Sequence, residues 1–210
     1  HLLPLEILYQ GNHNIEVVGK TWTEHFQKFA KFIFLNKTDS TILEIGCPSG
    51  KLAKEYLILD AESDWSIAEP NPNKDAIKNL PENIKFKKKW LAELQTDTKY
   101  DNIVMSHVFE HLYDPYSELQ TIHTLLEDDG SLFISIPDMK YILSKAMLPP
   151  AGLNFEHTFY VDEENFLHLM NRAGFEVHKK LNFNNHSDFY CCKKITNKKK
   201  INIDLKHHNQ

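Results

Sequence analysis

The chain has 210 residues, 41% of them hydrophobic and 25% charged, with a net charge of −5 at pH 7, enough for one large packed domain. The acidic balance argues against a nucleic-acid-binding surface, and no apolar run reaches the length of a membrane span. Three cysteines, Cys47, Cys191 and Cys192, make no disulfide framework and fit a reducing, cytoplasmic setting.

Residues 1–20 read as an N-terminal extension, 21–195 as the domain and 196–210 as a polar tail. No leader segment is visible, and the start at His1 leaves room for residues upstream. Trp22, Phe26, Phe29, Ile33 and Phe34 lie near helical spacing. They predict an amphipathic helix over 21–35 that caps a sheet and helps cover a ligand. Strands are expected near 41–46, 63–69, 84–89, 100–106 and 130–136, with helices near 50–59, 73–79 and 116–127 between them. Such alternation implies a parallel sheet covered on both faces. After Pro137 the rhythm changes to a short helix over 139–147 and a loop over 148–152. A helix follows from an Asp162 N-cap to Arg172 and stops at Gly174. Residues 175–181 and 188–192 then pair as a closing antiparallel couple. Lys87-Lys88-Lys89 reads as a solvated strand end.

The most informative stretch is Thr41–Gly50. Ile42, Leu43 and Ile45 make a buried strand that ends around Glu44, and Gly46 and Gly50 bracket a tight turn into a helix. Glycine has no Cβ to block a ligand and tolerates positive φ. A carboxylate at the strand end repels a pyrophosphate but suits a ligand that carries an ammonium group. The next strand ends at Glu69-Pro70. An acid there, about twenty residues past the loop, can accept both ribose hydroxyls of a nucleoside.

Glu44-Ile45-Gly46-Cys47-Pro48-Ser49-Gly50 resembles motif I of class I S-adenosylmethionine-dependent methyltransferases, usually E/D-x-G-x-G-x-G. Pro48 stands at the middle glycine and removes one backbone N–H. The resemblance covers residues 20–195. It implies an α/β, Rossmann-like, seven-stranded and mostly parallel sheet with helices on both faces and an antiparallel C-terminal strand pair. It also implies S-adenosylmethionine as cofactor, bordered by Glu44, Gly46, Cys47, Pro48, Gly50, Glu69 and Pro70, with Leu91 and Ala92 beside the adenine.

Ser106–Pro115 follows the fourth strand, where ligands of open α/β sheets bind. Its Glu110-His111 pair resembles the "hvlEHl-dP" stretch of small-molecule methyltransferases, so Ser106 and His107 are expected to border the methionine part. Asn154–Tyr160 resembles the "EH-x-x-aromatic" loop of sugar C-methyltransferases, in which the histidine is the base. The resemblance implies His157 as base, Glu156 orienting it or binding substrate, and His111 as second choice. Tyr9, His13, Glu110, Tyr160 and His186 are expected to contact the acceptor. Two features depart from the sugar C-methyltransferases. Those enzymes usually carry an N-terminal Cys-rich zinc module, whereas no cysteine precedes Cys47 here, and Phe86–Leu94 lacks their Gly-Asp pair. No metal is expected either: His107 and His111 flank Glu110, but not in H-E-x-x-H order.

The sequence therefore predicts methyl transfer to a hydroxyl of a small polar acceptor, such as a sugar or sugar phosphate. C- or N-methylation of a nucleotide sugar and a non-catalytic nucleoside-binding module are the alternatives. No nucleic-acid or membrane partner is expected, and the oligomeric state is left open.

Overall fold

The structure, a computed structural model, describes residues 4, 19–78, 80–94, 97–144 and 156–195. Helix α1 (Lys20–Phe34) comes first, followed by β1 (Thr41–Ile45), α2 (Lys51–Leu57), β2 (Asp64–Ala68), the single turn α3 (Lys74–Ile77) and β3 (Ile84–Lys87). A 3₁₀ turn (Leu91–Glu93) leads to β4 (Tyr100–Ser106), and a second one (Phe109–His111) to α4 (Pro115–Leu125). Then come β5 (Leu126–Pro137), α5 (Met139–Ser144), α6 (Glu163–Arg172), β6 (Phe175–Phe183) and β7 (Ser187–Lys194).

The seven strands form one sheet in the order β3-β2-β1-β4-β5-β7-β6. Pairings from β3 to β5 are parallel, and β7 runs antiparallel to both β5 and β6. This is the expected Rossmann-like architecture. Chain order reverses between β1 and β4, and at such a switch point the loops leaving the two strands diverge and open a crevice. Gly46 leaves β1 there and His107 leaves β4.

The apolar spacing of each helix sets which sheet face it covers. Phe29 and Ile33 of α1, with Leu52 and Tyr56 of α2, pack on Ile42, Trp65, Val104, Phe133 and Phe189. Leu119 and Ile122 of α4, with Phe166 and Met170 of α6, cover Leu43, Ile103, Leu132 and Tyr190 on the other face. All of these side chains are fully buried, each contributing roughly 1.5–3 kcal/mol of transfer free energy. Asp162 caps α6 as expected, accepting from Asn165 N at 2.9 Å.

Three details differ from the expectation or add to it. Strand β5 starts at Leu126, earlier than residue 130, because Leu126 already pairs with Tyr100 ahead of an irregularity in the register. Helix α3 is short, although Asn73 caps it by accepting from Asp75 N and Ala76 N. The β6–β7 hairpin turns through Asn184 and Asn185, both left-handed at φ 51° and 55°, with His186 N donating to Phe183 O. Two left-handed residues match the twist of the strands, and asparagine tolerates that conformation. The turn thereby brings His186 to the end of the sheet where β1 and β4 finish.

Candidate active site

A cavity of about 480 Å³ opens at the carboxyl ends of β1, β2 and β4, a size typical of small-molecule sites. Ile45 and Gly46 form its floor, and Ala68, Glu69 and Pro70 one side. Residues 89–93 form the next wall, and His107, Val108, His111, Leu112 and Glu118 close the far side. Of the expected cofactor contacts, Gly46, Glu69, Pro70, Leu91, Ala92 and His107 border this cavity.

The glycine loop is held rigidly. Gly46 N donates to Ala68 O at 2.9 Å and Gly50 N to Cys47 Sγ at 3.2 Å, while Pro48 O accepts from Asn73 N at 2.8 Å. These glycine N–H groups are already engaged, so what Gly46 supplies is room. Its φ is 74°, and a Cβ there would lie 2.8 Å from Val108 Cγ2. Gly50, at φ 65°, caps α2 against Leu80 instead of bordering the cavity. Cys47, Pro48 and Gly50 thus shape the loop without lining the pocket.

Glu44 departs from the expectation of a cofactor contact. It sits mid-strand with its side chain on the α1–α2 face, 1% exposed, where Oε2 accepts from Trp65 Nε1 at 2.8 Å. Alternation along β1 sends Glu44 to the same face as Ile42, under the loop, while Ile45 faces the pocket. Burial pushes its carboxyl up to about 7, against the Trp65 hydrogen bond that lowers it. Glu69 stays at the pocket edge, where Oε1 accepts from Asn71 N at 2.8 Å.

Beyond β4 the two Glu-His segments meet. His111 Nδ1 donates to the Glu156 carbonyl at 3.1 Å, and Thr158 bonds back through its N–H and hydroxyl to the Glu110 carbonyl. The His157 ring stands edge-on to His111, centroids 4.8 Å apart, and packs on Tyr160 at 5.3 Å. His157 Nδ1 is buried and has no hydrogen-bond partner among the described residues. Burial lowers the His157 pKa below its usual 6.5, with the Glu110 charge opposing this and His111 and His107 adding to it.

Glu110 does not face the pocket as an acceptor contact. It is 3% exposed, and Oε1 accepts from His107 Nδ1 at 3.1 Å. Burial pushes Glu110 up, but the bond and charge of His107 and the charge of His111 leave it below the usual carboxylate range. Ser106 points to His25 Nε2 at 3.3 Å and does not border the cavity. His186 lies against His107 and His25, away from the His157 corner. Helix α1 does not line the cavity; its first turns reach only as far as His107, through Trp22 and His25. Tyr9 and His13 lie outside the described residues.

Sequence reasoning passed over Trp90, Val108, Leu112 and Glu118, which line the cavity. Glu118 sits in the first turn of α4, where an acid reads as dipole compensation. The pocket instead half-buries it, and burial, aided by Asp114, raises its pKa.

The Methyltransferase domain family matches residues 17–180 of this chain. The ubiquinone biosynthesis O-methyltransferase of Glaesserella parasuis serovar 5 (strain SH0165) is 26% identical over 201 residues, covering 80% of this chain and 84% of that protein. Among solved structures, the Burkholderia thailandensis 1,6-didemethyltoxoflavin-N1-methyltransferase, with 1,6-didemethyltoxoflavin and S-adenosylhomocysteine bound, has the same fold. Its TM-score is 0.67 at 15% identity, over 89% of this chain and 83% of that one. The mitomycin 7-O-methyltransferase MmcR gives 0.65 at 15% identity over 82% of this chain and 53% of that one, so this chain spans about half of its length. Gly46 leaves open the space a Cβ would fill, and an acid ends β2 beside a largely apolar slot, which suits a nucleoside-bearing cofactor. With the family match spanning most of its length, the chain belongs to the methyltransferase-domain family and is an S-adenosylmethionine-dependent methyltransferase.

Proposed function

We propose that this enzyme transfers the methyl group to a hydroxyl of a small polar acceptor, with sugars and sugar phosphates the first class to test. The observation that carries this reading is the meeting of the two Glu-His segments beside the pocket, with His111 in its wall and His157 edge-on behind it. A hydroxyl must lose its proton as it is methylated, and a half-buried imidazole that is uncharged near neutral pH can accept one. The 26% identical relative bears the name of an O-methyltransferase.

In this reading the Glu69 carboxylate takes the ribose hydroxyls, Leu91 and Ala92 flank the adenine, and the His107 backbone borders the methionine part. The cofactor supplies a sulfonium-bound methyl group. The protein contributes alignment, which can account for most of the rate in such a displacement, and His157 as the proton acceptor. The Tyr160 ring packs edge-on against His157, centroids 5.3 Å apart.

The acceptor is tested by incubating the protein with methyl-labelled S-adenosylmethionine and a panel of sugars, sugar phosphates and phenols. Product methyl groups on oxygen are expected; methyl groups on carbon or nitrogen contradict the reading. The cofactor contacts are tested separately. Glu69→Ala is expected to weaken S-adenosylhomocysteine binding at least tenfold, about 1.4 kcal/mol, because it removes charge-assisted hydrogen bonds. Equal affinity by calorimetry would remove Glu69 from the site.

A further inference from the structure

We propose that His25, His107 and His186 form a binding site for a divalent transition-metal ion of the zinc type. The three side chains come from α1, the end of β4 and the β6–β7 turn. Their ring centroids lie 5.1, 5.6 and 5.7 Å apart. One nitrogen from each ring lies within 4.8 Å of the other two. Because the residues are 82 and 79 positions apart in sequence, no ligand spacing pattern reveals them.

The hydrogen bonds aim the rings. His107 Nδ1 lies 3.1 Å from Glu110 Oε1, and the tautomer with its proton on Nδ1 donates to that carboxylate and leaves Nε2 without a proton. Ser187 Oγ lies between the other two rings, 2.8 Å from His107 Nε2 and 2.6 Å from His186 Nδ1. With the His186 proton on Nδ1 the hydroxyl accepts there, and turning its own proton away frees His107 Nε2 for an ion, with His186 Nε2 bare beside it. A carboxylate gripping the far nitrogen of a ligating imidazole is the usual outer partner of a metal-bound histidine. His107 is also held left-handed at φ 53°, an uncommon conformation outside glycine that concentrates at functional positions.

His25 supplies an independent observation. It is fully buried, and its Nδ1 has no hydrogen-bond partner among the described residues. A core histidine ordinarily has both nitrogens satisfied. Three nitrogen donors suit zinc, which takes four ligands in a tetrahedron. One position stays open for water or another oxygen ligand. Trp22 closes the outer side, its ring edge-on to His107 at 4.8 Å and to His186 at 4.7 Å. An ion here would pin α1 to the hairpin and to the β4 end of the cofactor pocket. The site stands on these side chains alone and does not rest on the acceptor chemistry proposed above.

The test uses the full chain, stripped with a chelator and dialysed, in a His207→Ala/His208→Ala background that removes the adjacent histidines of the tail. Calorimetric titration with Zn²⁺ is expected to give one ion per chain with a Kd of roughly 1 μM or tighter. Zinc at a hundredfold excess over Kd should raise Tm by roughly 5–10 °C. His186→Ala should weaken zinc binding by more than the ~10–100-fold that loss of an outer partner costs. His186→Asn, with a residue suited to turns, is the second variant should the alanine chain lose its circular-dichroism spectrum. Glu110, His111 and His157 form a neighbouring group with ligand atoms equally close, so His157→Ala is titrated in parallel and should bind zinc as the native chain does. The proposal is overturned if Zn²⁺ does not bind saturably or if the folded His186 variant binds it like the native chain. It is overturned equally if His157→Ala abolishes binding, which would put the ion in the other group.

Discussion

Replacing His157 by alanine is expected to lower turnover by roughly 10²–10⁴, the range for loss of a general base, while cofactor affinity stays within about twofold. The separation follows from placement: His157 stands edge-on to His111 and does not line the cavity that Glu69, Leu91 and Ala92 border. The pH profile carries the same assignment. A base works in its uncharged form, so native turnover should fall as pH drops through the His157 pKa. Burial has moved that pKa below 6.5, so the acid limb should lie on the acid side of the ordinary imidazole value. The alanine variant should lack this limb, and added imidazole should restore part of its rate. Full turnover in His157→Ala together with loss in His111→Ala would move the role to the other Glu-His pair. Full turnover in both would mean that alignment alone drives the reaction.

Gly46→Ala should damage both the fold and the pocket. The residue is left-handed at φ 74°, and the new methyl would sit 2.8 Å from Val108 Cγ2 and 3.0 Å from Cγ1. Left-handed backbone costs a non-glycine residue about 1–2 kcal/mol, and overpacking about 1–3 kcal/mol more. Together they predict a loss of roughly 2–5 kcal/mol, or roughly 5–15 °C in Tm. Val108 lines the cavity, so any shift that relieves the clash narrows the cofactor site, and affinity for S-adenosylhomocysteine should fall at least about tenfold. Adding Val108→Ala removes the steric part alone. The double variant should recover part of the lost Tm but none of the backbone strain. A single variant with native Tm and native affinity would show that the loop moves freely, contrary to its three anchoring hydrogen bonds.

The sheet was legible because each strand is an apolar run bounded by turn residues, and the helices between them repeat at the helical period. The acid ending β2 was legible because it follows a strand whose end defines the crevice, whereas Leu91 and Ala92 came only from the family resemblance and do border the cavity. Glu44 was misjudged because motif spacing places it near the ligand, whereas pleat alternation and Trp65 on the neighbouring strand turn it under the loop. The sequence marks nothing at His25, one polar position on an amphipathic helix. Its burial depends on His107 and His186, whose approach is set by the left-handed residue after β4 and by the Asn184-Asn185 turn. The double asparagine was the available signal for that turn. Nothing local in the sequence tells that the turn ends beside β4, because the β5–β7–β6 register decides it.

The most direct measurement is a calorimetric titration of the native chain with S-adenosylhomocysteine and, separately, with NAD. Both ligands carry an adenosine whose ribose Glu69 could hold, but only one lacks the pyrophosphate that a glycine loop with its N–H groups engaged cannot cradle. The account predicts one S-adenosylhomocysteine site per chain with a Kd of roughly 1–100 μM and no saturable heat with NAD. Tighter binding of NAD, or no binding of S-adenosylhomocysteine at millimolar concentration, would contradict it.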